Sequence, residues 1–134
     1  MEKISLVKIN RQYKNNGQHC EQRLIYTLSG ELRKADNKPY TTGGDYGDIQ
    51  IKSARATICK GIDLTKHLQE DGANRYAYVV DKLNIAYLMN TAEYFDFCTK
   101  FGYITRESQK NGGAEKIVLK HESKALLQWL ADRA

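Results

Sequence analysis

Five residues constrain this chain more than any others: Asp48-Ile49-Gln50-Ile51-Lys52 alternates polar and apolar side chains without a break. Side chains alternate across a strand, so this run predicts a β-strand that sends Ile49 and Ile51 into a core and keeps Asp48, Gln50 and Lys52 together on the opposite face. On that face a carboxylate, an amide oxygen and an ammonium would lie a strand repeat apart, roughly 6 to 7 Å by strand rise. Oxygen donors beside a fixed cation suit a hydrated divalent metal and a phosphate, and so point to phosphodiester chemistry.

The flanking sequence supplies the rest of a sheet. His19 to about Arg33 places Cys20, Leu24, Ile25, Leu28 and Leu32 at helical spacing, with Glu21 on the same stripe. Before it, Ile4 to Ile9 fits either a short strand or the first turns of a helix. Ala35 to Cys59 predicts a β-hairpin turning at Gly43-Gly44, with strands near 36–41 and 48–58. Asp63 to Asp71 reads as a short capped helix. Tyr76, Tyr78 and Val80 alternate, Asp81 to Asn84 turn, and Ile85 to Met89 return, giving a second hairpin. A helix from Thr91 stops at Gly102, strands follow at 103–107 and 117–120, and a helix over 122–131 carries Leu126, Leu127, Trp129 and Leu130. Helices and strands in this order predict an α/β fold, a central mixed β-sheet flanked by helices, in one domain over residues 1–134. Residues 91–134 would form a winged helix-hairpin-helix part able to contact DNA.

Composition narrows the class. The 134 residues carry a net charge of +5, which mildly favours a polyanionic partner. No run nears the ~18 apolar residues that span a bilayer, and the first residues lack the basic and apolar regions of an export signal, so no membrane is expected and a cytoplasmic location is. Cys20, Cys59 and Cys98 are odd in number and widely spaced, which predicts buried reduced thiols rather than a zinc site. His19, His67 and His121 lack ligand spacing and are expected at the surface. Tyr76, Tyr78 and Tyr87 are read as sheet packing rather than base-stacking platforms.

With the hairpin turning at Gly43-Gly44, Asp36 falls beside Ile51 and Asn37 opposite Gln50, so Asp36 approaches Gln50 and Lys52 across the ladder. Asp36 and Gln50 then offer oxygens to Mg²⁺ or Mn²⁺, with Asp45 and Asp48 as alternative acids. Lys52 is placed to orient or deprotonate a water and to offset charge growing on a phosphate. Glu21, on an otherwise apolar stripe, needs a metal, a Lys or water nearby, because a buried carboxylate alone costs several kcal/mol.

These residues resemble the PD-(D/E)XK, restriction-endonuclease-like nuclease superfamily, in which an acid on one strand precedes an acid-x-Lys signature on the next. Gln50-Ile51-Lys52 carries Gln in the acid position, similar to the variant in Mrr-type restriction nucleases and some homing endonucleases. Ala35 stands before Asp36 where the family pattern has Pro. The resemblance covers about Glu21 to Cys59. It implies a restriction-endonuclease-like core, a supporting Glu on the first helix, Mg²⁺-dependent cleavage of DNA, and a homodimer in which each active site cuts one strand.

Arg55 and Lys60 flank the end of the motif strand, and Arg106, Lys110 and Lys116 surround the Gly112-Gly113 loop, so these five are the expected DNA contacts. The rival reading is a non-enzymatic nucleic-acid-binding or protein-inhibitor domain of phage or mobile-element origin, in which the polar face of the motif strand is simply solvated.

Overall fold

The computed structural model describes residues 1–10, 16–32, 40–41, 48–53, 57–59, 75–106, 115–119 and 123–134. Element order is β1 (Glu2–Ser5), α1 (Asn16–Ser29), β2 (Tyr40–Thr41), β3 (Asp48–Ser53), β4 (Thr57–Cys59), β5 (Arg75–Val80), β6 (Ile85–Asn90), α2 (Thr91–Phe101), β7 (Gly102–Arg106), β8 (Glu115–Leu119) and α3 (Lys124–Arg133). The fold is mixed α/β. A five-stranded sheet runs β1-β6-β5-β3-β2, and a three-stranded antiparallel sheet runs β4-β8-β7.

The larger sheet is built on the β5–β6 hairpin. Tyr76 pairs with Met89 and Tyr78 with Tyr87, and a 3₁₀ turn over Asp81–Leu83 ends at Asn84, which takes a left-handed φ of 59°. Asn tolerates that conformation because its short polar side chain hydrogen-bonds locally. β1 adds antiparallel to β6, so the ambiguous N-terminal segment is a strand. On the other side, β3 runs parallel to β5, with Ile49 beside Arg75, Gln50 beside Tyr76 and Lys52 beside Tyr78. β2 then adds antiparallel to β3, making the sheet mixed.

Two clusters fill the two sides. One is aromatic: Tyr76, Tyr78, Val80, Tyr87 and Met89 pack against Tyr94, Phe97, Cys98 and Phe101 of α2 and Leu126 and Leu130 of α3. Tyr76 stacks on Tyr94 with centroids 4.1 Å apart, and Tyr78 meets Phe97 edge-on at 4.9 Å. The other is aliphatic: Ile49, Ala77, Val79, Ala86 and Leu88 pack against Leu6 and against Cys20, Leu24 and Ile25 of α1. Each side chain's assignment follows the strand period of two, with Tyr76 and Tyr78 on one side and Ala77 and Val79 on the other.

Local signals explain the helix ends. Asn90 caps α2: its Oδ1 accepts from Glu93 N–H at 2.8 Å, while Glu93 Oε1 accepts from Asn90 N–H at 3.0 Å, a reciprocal capping box. Ser123 Oγ accepts from Leu126 N–H at 3.1 Å to open α3. α1 ends before Gly30, whose φ of +77° suits glycine, so the helix stops short of the expected Arg33. Gly102 is the C-cap of α2 with an extended φ of −75°; the helix stops there because the chain enters β7 directly, not through a left-handed turn.

Two expectations are corrected. The first hairpin pairs Tyr40 with Ile49 and Thr41 with Asp48, two residues away from the register expected of a turn at Gly43-Gly44. Partners on the two strands therefore sum to 89, not the 87 that a turn centred on Gly43-Gly44 requires. A shift of two preserves the face of each residue but changes its neighbour. The single strand expected over 48–58 is instead β3 and β4, which belong to different sheets. The helix expected over 63–71 lies outside the described residues.

Candidate functional site

β3 carries the polar triplet in the interior of the larger sheet, flanked by β2 on one side and β5 on the other. Ile49 is fully buried and Ile51 half-buried under α1, as alternation demands. Asp48 opens β3 opposite Thr41, and Gln50 and Lys52 take the register positions of Tyr76 and Tyr78. Asp36 and Asp45 lie outside the described residues, so Asp48 is the one candidate acid of the three with a place in the sheet.

Glu21 lies on α1, which packs across β3 and β5. At about 100° per residue it falls between Leu28 and Ile25 on the arc of the helix that meets the aliphatic cluster. Glu21 is half-buried there, as its place on the apolar stripe implied. Sheet pairing thus brings Asp48, Gln50 and Lys52 together on one strand, on the face shared with Tyr76 and Tyr78, whereas α1 with Glu21 packs over the other face, which carries Ile49 and Ile51.

The expected nucleic-acid contacts divide. Arg55, Lys60 and Lys110 lie outside the described residues. Lys116 occupies the middle strand of the smaller sheet, paired with Cys59 on β4 and Thr105 on β7, and Arg106 pairs with Glu115. The basic hairpin pairs with β4, the strand that follows the motif strand β3 in the chain.

Sequence reasoning missed two arginines. Arg75 begins β5 as the register partner of both Ile49 and Asn90, one residue along the ladder from Asp48. It helps line a cleft of about 270 Å³ with Met1, Glu2, Asn90 and Glu93. There the Met1 ammonium meets Glu93 Oε2 at 2.7 Å. Burial pushes the Glu93 carboxyl up, but the hydrogen bonds from the Met1 ammonium and Asn90 N–H, with the charge of that ammonium, outweigh it and leave the pKa below the usual 4.5.

The second is Arg23, buried on α1. Its Nε donates to Val7 O at 3.0 Å, one terminal nitrogen donates to Asp81 O at 2.7 Å and Asp81 Oδ1 at 2.8 Å, and the other donates to Asn84 Oδ1. His19 is also buried, with Nε2 3.2 Å from Asp81 Oδ1, which corrects its expected surface position. Arg23 and His19 lie one helical turn apart, so a single carboxylate on the β5–β6 turn reaches both. His67 and His121 lie outside the described residues.

Cys20 and Cys98 are buried free thiols, as expected. Tyr76, Tyr78 and Tyr87 are buried, and burial pushes the Tyr87 hydroxyl up, so these rings pack the sheet instead of stacking on bases. Among the described residues no three His, Cys, Asp or Glu side chains gather as a metal-holding group. Among them, too, no helix is long and apolar enough to cross a membrane. Comparison with protein-family models, with curated proteins and with solved structures finds no match.

Proposed function

We propose that this protein is a Mg²⁺-dependent endonuclease that hydrolyses DNA phosphodiester bonds, with a restriction-endonuclease-like core acting as a homodimer. The observation that carries the reading is the setting of Gln50-Ile51-Lys52: an interior strand, antiparallel to β2 and parallel to β5, with α1 on its Ile49 and Ile51 face and Gln50 and Lys52 on the opposite one. A first helix bearing a Glu, a hairpin bearing the metal site and then alternating helices and strands are the parts that the nuclease resemblance implies.

The donor set fits a hard cation, because Asp48 and Gln50 offer carboxylate and amide oxygens on one strand, with Asp36 and Asp45 as the further acids. When bound, Mg²⁺ supplies Lewis acidity toward a phosphate oxygen and a bound water, and Mn²⁺ can stand in for it. Lys52 would orient or deprotonate the attacking water and counter the charge growing on the phosphate, as the water oxygen bonds to phosphorus and the P–O bond to the leaving sugar oxygen breaks, that oxygen taking a proton from solvent. Glu21, expected to support the site, lies on α1 over the opposite face of β3, the one that carries Ile49 and Ile51. Arg75, the register partner of Ile49, adds a guanidinium at the end of the sheet where β3 begins. Arg55, Lys60, Arg106, Lys110 and Lys116 extend the contact along the DNA, with affinity that falls steeply as salt rises.

Lys52→Ala is the test. The variant should keep the fold by circular dichroism and still bind DNA while losing Mg²⁺-dependent nicking of supercoiled plasmid. Full nicking by a folded K52A protein would remove Lys52 from the mechanism.

A further inference from the structure

We draw no further inference here: the strongest candidate, the side-chain cluster in which buried His19 and Arg23 of α1 share Asp81 of the β5–β6 turn, belongs to the framework already described, and nothing among the described residues shows a ligand or partner that would use it.

Discussion

The two sides of the five-stranded sheet are built on different principles. Under α2 and α3 lies a thick aromatic layer in which Phe97 touches Tyr78, Tyr94, Phe101 and Trp129. Under α1 the sheet presents Ala77, Val79 and Ala86, small residues that let a helix come close, and the helix is then fixed by directional hydrogen bonds from Arg23. The aromatic side supplies bulk burial, which is nondirectional and tolerant of small displacements. The aliphatic side supplies placement of α1 on Ile49 and Ile51, while Gln50 and Lys52, as register partners of Tyr76 and Tyr78, belong to the other face of β3.

Substitutions should separate the two designs. The largest effect is expected on the aromatic side, where Phe97→Ala should cost about 3–5 kcal/mol in chemical denaturation by emptying the centre of the ring cluster. On the aliphatic side the damaging change is addition: Ala77→Leu should cost about 1–3 kcal/mol by forcing α1 off the sheet. Hydrogen exchange should report that loss first in α1 amides, whereas F97A should loosen both helices on the opposite side. A uniform response to both would erase the contrast.

The smallest effect concerns the edge between the sides, at Glu93. Its folded-state pKa is depressed, so it contributes stability above the unfolded value of 4.5 that is lost as pH falls through the folded value. Glu93→Gln should therefore lower stability at neutral pH and converge with the wild type in acid, measured as the difference in denaturation midpoints between about pH 6 and pH 3. A difference that persists unchanged in acid would show that the carboxylate's charge is not involved.

Much of the aromatic side was legible in the sequence. Tyr76, Tyr78 and Val80 alternate before a polar turn, and Tyr94, Phe97, Cys98 and Phe101 recur at helical spacing, so local periodicity located both elements and their buried faces. The strand bearing Gln50 and Lys52 was legible for the same reason. Periodicity carries no information about which strands become neighbours. The parallel pairing of β3 with β5, the transfer of β4 to the second sheet and the place of Arg75 beside Ile49 all depend on distant segments. Arg23 and His19 were missed because a charged residue on a helix ordinarily faces water, and only the approach of Asp81, 58 residues beyond Arg23, makes their burial affordable. The motif strand and the half-buried Glu21 were readable, while the hairpin register was not, since a glycine pair suggests a turn but does not fix which residues face each other across it.

The most direct measurement is nicking of supercoiled plasmid by the purified wild-type protein in Mg²⁺, in Mn²⁺ and in EDTA. The account expects open-circular product with either metal and none in EDTA. Retarded but uncut plasmid under all three conditions would contradict it and favour a domain that binds DNA without hydrolysing it.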